Sequence, residues 1–581
     1  MPSSAPPDET RRRMGVNAES PRPADEDFEV KGEKGATAPR EDPSIAEGVS
    51  GHGTQRGIKS RQAQMLAIGG TIGTGLFVGT GSALATVGPA FLFVGYSVVC
   101  ILVYCIVTAT TEINTYMPLR GVSMAYYGNR MVSPSLGFAM GWMYWYTWGI
   151  GIAYEVTAAA VVINYWPSTI NIAVWISVMI VVIVALNFFP VGAYAETEFW
   201  FASIKVFTII GLLILAAVLF FGGGPSHDPL YFSLWKDPGA TKEYLVSGAA
   251  GRFCALLYSM IYSAFSFNFG PELIVMTSGE MQSPRHNLPK TATRFIYRLL
   301  IFYSLGALAI ALICPSNDTR LTSGGQGAAA SPWVVATSNA GIHGLDSLIN
   351  AVIITSAWSS GNSVLYMSSR SLYSMAVAGN APAVFKRCNK SGVPYYAVLA
   401  SAAFSPLAYL SVGDESAVVF NWLVSILNTA GFISWVMCCV IFFRFRAACA
   451  VQGVRRERLP YTSAWQPYGA WVAFVAFSLF GLLNGFGVFF PGHWSVSGFF
   501  TAYIGFPVFL IIYVGHKFTV GRGEPWCRPA ASIDLTSGLA DVKAAEEAEE
   551  AERMTRESEK VGHPMPVWQT PFRVVFGALF N

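Results

Sequence analysis

The sequence predicts an all-α membrane protein of twelve transmembrane helices, arranged as two halves that are each interrupted once. Three observations lead there. Of 581 residues, 53% are hydrophobic and 13% charged, and the mean hydropathy is +0.43. Apolar runs of about 20 residues, long enough to cross a hydrocarbon layer as helix, recur along the chain. Two of these runs, five spans apart, are broken by glycine or Gly-Pro in corresponding positions.

Met1–Ser60 is rich in Pro, Gly, Ser and charge. It cannot bury a core, so it reads as a disordered tail, with no signal peptide in it. Twelve spans follow, at about 63–86, 90–116, 137–165, 169–190, 199–221, 251–277, 294–314, 345–370, 395–412, 418–443, 467–490 and 497–517. Residues 61–520 thus form the membrane domain, with one half at 63–221, a second at 251–443, and two added spans at 467–517. Residues 521–581 form a second tail, whose Ala/Glu-rich Asp541–Glu559 portion suits an exposed helix in a solvated segment.

An even number of spans puts both tails on one side. With that side cytoplasmic, the inner loops carry fifteen Arg and Lys, among them Arg130, Arg285 and Arg444. The outer loops carry three, Lys236, Lys242 and Arg320. This is the bias of the positive-inside rule. The outer sequon Asn317-Asp318-Thr319 is a candidate glycosylation site, whereas Asn389-Lys390-Ser391 falls inside.

The first break lies in Ala67–Leu84, AIGGTIGTGLFVGTGSAL, which is uncharged but carries six glycines. Glycine is poor in a helix interior, and unpaired backbone groups survive in a membrane only where they face protein, a cavity or a ligand. At Thr71, Ile72, Gly73, Thr74 and Gly75, bare N–H groups and the positive end of the following helix suit a carboxylate. Close helix packing by small residues is the competing reading. The second break is Gly270-Pro271 in span six, FCALLYSMIYSAFSFNFGPELIVMTSGE, where proline removes a donor and disturbs the preceding turn. Matched breaks in two halves point to an inverted-repeat transporter with its site near the midplane.

Few ionisable groups fall within spans: Glu155 in span three, Lys205 in span five and Glu272 beside the second break. Such groups are costly in lipid and face a pathway or a partner, so Lys205, Glu155 and Glu272 are the candidates for proton coupling. A buried ammonium at Lys205 can stand where a sodium ion would, or exchange a proton. A structural hydrogen-bonding role is the alternative for all three. Glu196 and Glu198 read as interfacial, at the edge of span five. Phe265, Phe267 and Trp358 are candidate lids. Ser359, Ser360, Asn362 and Ser363 form a polar stripe that either lines a cavity or joins helices.

The segments GGTIGTGLFVGTGSAL, GWMYWYTWGIGIAYEVTAAAVVINYW, GPELIVMTSGE, SRSLYSMAVAGNAP and LPYTSAWQPYGAW closely resemble the fungal amino acid permeases. These are a branch of the amino acid–polyamine–organocation superfamily. The resemblance runs from about Arg61 to Val520 and into Gly523–Gly538, leaving out the N-terminal tail. It implies a LeuT-type fold of 5+5 inverted repeats, with helices 1 and 6 broken and two helices added. It also implies proton-coupled amino acid uptake at the plasma membrane. Carried onto this sequence, Gly73, Thr74 and Gly75 would bind the substrate carboxylate. Carbonyls around Ser266, Phe267, Asn268 and Phe269 would accept from the α-amino group. Glu155 matches an acidic position of span three. Lys205 matches the span-five lysine that in related transporters lies where sodium sits in sodium-coupled ones. The second break departs from the family's usual pattern, placing Ser266 at the aromatic gate position, so Phe265 and Phe267 both stand as gate candidates. The GPEL variant resembles the proline-permease branch, which favours proline or another small neutral amino acid.

The net charge of +3 does not suggest nucleic acid as a partner. Nine scattered cysteines, with no CxxC or Cys/His cluster, indicate no disulfide framework and no metal site, and no cofactor is expected. No convergent His/Ser/Asp set or nucleotide loop indicates an enzyme. An amino acid sensor with little flux and an uncoupled or exchanging transporter are the alternatives on the same fold. The expected partners are the amino acid, protons and the bilayer, with a ubiquitin ligase and its adaptor at tail lysines such as Lys31 and Lys34.

Overall fold

The structure, a computed structural model, describes residues 73–119, 122–166, 168–225, 227–267, 270–278, 281, 283–321, 331–342, 344–412 and 416–561. Thr71, Ile72, Asn268, Phe269, Lys31 and Lys34 lie outside them. Among the described residues there are helices and no strand.

A π-helical turn at Gly75–Gly79 leads into α1 (Thr80–Val87). Gly88, at φ +84°, then turns the chain into α2 (Pro89–Tyr116). Only glycine fits that turn. Its φ is positive, and a Cβ would lie 3.1 Å from the Ala240 carbonyl oxygen. Pro89 follows at the first helical position, where its missing N–H costs nothing. A short α3 (Met124–Met131) precedes α4 (Pro134–Ile163), which Ser133 caps by accepting from Leu136 N at 3.3 Å. Next come α5 (Ile172–Leu186), α6 (Val191–Phe220) and α7 (Gly248–Ser263). After α7 the winding tightens to 3-10 at Ala264–Phe267, and α8 begins at Gly270 and runs to Ser278.

The chain continues with α9 (Pro284–Arg298), a π stretch at Leu299–Ser304 and α10 (Leu305–Ile313). It goes on through α11 (Pro332–Asn339), α12 (Leu345–Val377), α13 (Tyr395–Ala402) with a 3-10 continuation at Ser405–Val412, and α14 (Ser416–Val451). Then follow α15 (Tyr468–Leu482), α16 (Val496–Tyr503), α17 (Gly505–Thr519) and α18 (Leu539–Val561).

Among the described residues, seven helices or merged helices are long and apolar enough to cross a membrane, or eight if α16 and α17, bent by 44°, form one span. The shorter apolar segments Gly75–Val87, Ile172–Leu186 and Tyr468–Leu482 fall on other stretches that the sequence marks as spans. The 33-residue α12 is long but polar, because its stripe at Ser359, Ser360, Asn362 and Ser363 is buried rather than turned to lipid. Lipid instead meets side chains such as Phe207 and Ile511, about 70% exposed.

The centre of the molecule is the pairing of α4 with α12. Glycines let the two come close: a Cβ at Gly141 would lie 2.5 Å from Met375 Sδ. One observed start changes how a residue reads. Helix α6 begins at Val191, eight residues before the edge expected from the sequence, so Glu198 lies inside the helix and is fully buried rather than interfacial.

The C-terminal segment also differs from a solvated tail. Arg130 on α3 donates to the carbonyls of Asp534 (2.6 Å) and Ser537 (2.9 Å) and pairs with the Asp534 carboxylate at 3.1 Å. Gln452 donates to the carbonyls of Ala530 and Ile533, Arg444 donates to the Arg528 carbonyl, and Ile533 and Leu535 are buried. On α18, Glu546 pairs with Arg285 at 3.0 Å, and Glu549 accepts from Ser283 N at 2.7 Å. Partial burial works against the Asp534 charge, but donors from Ser537 and Thr536 and the Arg130 guanidinium outweigh it and hold the carboxyl at about 2. Its stabilising share is therefore complete above about pH 4 and lost as the pH falls through about 2. Arg130→Ala is expected to remove about 1.5–3 kcal/mol of local docking, so limited proteolysis should cut residues 528–561 about tenfold faster or more, while the membrane helices stay intact.

Candidate functional site

The first-span stretch enters the described structure at Gly73. Helix begins at Thr74, and the π turn leaves early N–H groups without an intrahelical partner, as every helix start does. Thr74 is fully buried. Its Oγ1 lies 2.9 Å from Glu155 Oε2 and 2.9 Å from the Tyr154 hydroxyl, both on α4. Gly73 is pressed onto the same carboxylate: a Cβ there would sit 2.9 Å from Glu155 Oε1 and 3.2 Å from Ser360 Oγ on α12. Gly75 faces the 3-10 segment of span six, since its Cβ would lie 3.0 Å from the Phe265 ring and 3.2 Å from Ser266 Oγ. Either glycine therefore makes room for a neighbour that any side chain would displace.

The two phenylalanines of that segment part company. Phe265 packs edge-on against Tyr154, with centroids 4.8 Å apart, in an apolar cluster with Phe420 and Leu423 of α14. Phe267 turns the other way, 4.4 Å from the Tyr303 ring and 6.0 Å from that of Tyr96. Between them, Ser266 Oγ lies 2.9 Å from the Tyr96 hydroxyl. Thus Gly73, Thr74, Gly75, Glu155, Phe265 and Ser266 come together, and Phe267 stands behind them.

Lys205 is buried on α6, and its charge acts on both Glu155 and Glu198. Glu198 accepts from Ser359 Oγ at 2.7 Å and from Asn362 Nδ2 at 2.9 Å. Glu272 belongs to a different cluster. It accepts from Ser434 Oγ, which lies 2.7 Å from the Tyr144 hydroxyl. Asn317 is exposed in its loop, next to Asp318, whose carboxyl the Arg320 guanidinium holds at about 2. Sequence reasoning passed over Tyr154 and took Glu198 for an interfacial residue. The available signal for Glu198 was its place seven residues before Lys205, on one face of a helix.

The amino acid permease family model matches residues 62–529. The proline-specific permease of Emericella nidulans is 46% identical over 507 residues, covering 86% of this chain and 92% of that protein. The proline-specific permease of Saccharomyces cerevisiae is 43% identical over 520 residues, covering 88% of this chain and 82% of that protein. Among solved structures, the manganese transporter of Eremococcus coleocola superposes with a TM-score of 0.54 at 12% identity. That match covers 79% of this chain and 94% of that one, a likeness of fold.

The Thr74 hydroxyl ties the glycine stretch to α4. Thr74→Val keeps the shape and removes the hydroxyl, leaving Glu155 short of a donor at a cost of about 1–3 kcal/mol. Thermal unfolding of purified protein should show a lowered midpoint for Thr74→Val and a near-normal one for Thr74→Ser.

Proposed function

The chain belongs to the amino acid permease family, and on that premise we propose that it imports proline, or another small neutral amino acid, across the plasma membrane together with a proton. Membership makes it a multi-pass transporter of amino acids and not an enzyme. The proline-specific relatives support proline as the substrate.

In this reading the N–H groups of Thr71–Gly75 hold the substrate carboxylate, aided by the positive helix end. Carbonyls around Ser266–Phe269 accept from the ammonium group. Phe265 is the aromatic lid, because it lies across Gly75, whereas Phe267 is occupied by Tyr96 and Tyr303. Glu272, joined to Ser434, keeps a structural role. Twelve spans form two inverted five-helix repeats and an added pair. Helices of spans 1, 2, 6 and 7 rock against the rest, exposing the site to each side in turn.

The observation that carries the coupling is the Glu155 carboxylate against Gly73 and Thr74. A substrate carboxylate bound there meets a like charge. Two such charges about 5 Å apart repel by roughly 3 kcal/mol at an effective dielectric of 20. A proton on Glu155 removes that repulsion, so proton and substrate bind together, each raising the affinity for the other. Lys205 tunes the balance from the far side of Glu155.

Uptake of labelled proline, with other amino acids run in parallel, in permease-deficient yeast expressing this chain should be concentrative and should collapse with a proton uncoupler. Uptake indifferent to the uncoupler would remove the coupling roles of Glu155 and Lys205, and uptake of other amino acids in place of proline would remove the substrate. At equal surface expression, Phe265→Ala should raise KM about tenfold, a loss near 1.4 kcal/mol of contact, and should do so more than Phe267→Ala. Lys205→Met that kept full pH-driven uptake would take the lysine out of the mechanism.

A further inference from the structure

Glu198 is a buried carboxylate that the reading above does not use. It lies two turns before Lys205, so both side chains leave α6 on one face. With Glu155, on which the same lysine acts, the cluster holds two carboxylates and one ammonium. The other titratable groups facing it are Tyr194 on α6, Tyr154 on α4, and Tyr366 and Arg370 on α12. Helix α10, packed along α6, brings none. Arg370 is eight residues past Asn362, about 12 Å farther along the helix axis, and stacks on Tyr366.

Fully ionised, the cluster carries one net negative charge inside the membrane, where an uncompensated charge is expensive. One proton removes it. The hydrogen bonds distinguish which carboxylate takes it. Glu198 Oε1 accepts from Asn362 Nδ2 at 2.9 Å, and Asn362 Oδ1 in turn accepts from Asn187 Nδ2 at 2.7 Å. Asn187 Nδ2 also donates to the Ile183 carbonyl at 3.0 Å, so the line of amides presents an N–H to Glu198 and cannot reverse. The other oxygen, Oε2, accepts from Ser359 at 2.7 Å. These donors favour the ionised form of Glu198. Glu155 accepts from the Thr74 and Ser360 hydroxyls and the Thr74 N–H, and what sets it apart is that Thr74 has a second acceptor at hand. Thr74 Oγ1 is equally close to Glu155 and to Tyr154, and when it donates to Tyr154 it is free to accept from a protonated Glu155.

We propose that Glu198 is the fixed counter-charge of Lys205, and that Glu155, on the substrate side of the same ammonium, is the carboxyl that binds and releases the coupled proton. Glu198 touches no substrate in this scheme; it is a positioning residue that acts through Lys205. The transport consequence rests on the proton-coupled reading above, but the assignment of the proton does not.

Infrared difference spectra of the purified full-length protein between acid and alkaline pH test the assignment without transport. The wild type should show one buried carboxylic-acid band that titrates. Glu155→Gln should abolish it, and Glu198→Gln should retain it. Loss of the band in Glu198→Gln with retention in Glu155→Gln would overturn the proposal, as would the absence of any such band in the wild type. Labelled proline uptake gives a second readout. A merely structural Glu198 would scale the rate down equally at every pH, whereas a counter-charge should displace the whole pH profile toward acid in Glu198→Gln. An undisplaced profile contradicts the proposal. Glu198→Asp keeps the charge and should keep both the band and the profile; if Glu198→Gln fails to fold, loss of the band in Glu198→Asp, or its survival in Glu155→Gln, overturns the proposal. If wild-type uptake ignores the uncoupler while the band still follows Glu155, the coupled reading fails and the assignment stands.

Discussion

The structure depends on how buried charge is balanced where lipid surrounds the helices. Lys205 is almost completely buried on α6, and a bare ammonium there would cost several kcal/mol. Two carboxylates on different helices make it tenable. Holding those carboxylates requires donors: Thr74 from the first span for Glu155, and Ser359 and Asn362 from α12 for Glu198. Four elements are thereby tied to one ammonium. The polar stripe of α12 and the glycines of the first span both follow from this requirement, because a helix must come close to reach a buried carboxylate.

Much of this was legible in the chain, for physical reasons. A lone Lys205 or Glu155 in an apolar run stands out because the run itself states the cost of the charge. The glycine stretch stands out because six glycines in one span contradict helix propensity. Glu198 was not legible, since helix boundaries are the least certain part of a sequence reading and an edge placed at residue 199 put it outside the membrane. The choice between Phe265 and Phe267 was open for a different reason. Where α winding gives way to 3-10, the residue-to-face register changes, and only the neighbours Tyr154 and Tyr303 separate the two rings. The breaks expected from the sequence fall partly at Thr71, Ile72, Asn268 and Phe269, outside the described residues.

The docked C-terminal segment was hidden because its contacts are long in sequence. Arg130 meets Asp534 across about four hundred residues, and nothing local to either signals the other. Composition described an acidic, solvated tail, and α18 is indeed polar. What composition could not supply is that Ile533 and Leu535 bury themselves while Arg130, Arg285 and Arg444 hold the flanking carbonyls and carboxylates. The arginines counted as topology signals are thus also structural partners of the tail.

The claim at the centre is that the turn at Gly73–Gly75, set against Glu155 and Phe265, is the substrate site. An experimental density map of the protein with bound proline tests it most directly. The expected map places the proline carboxylate within hydrogen-bond distance of backbone N–H groups at Gly73–Gly75, with Phe265 over the ring. Proline bound elsewhere, with those N–H groups closed by protein, would contradict it.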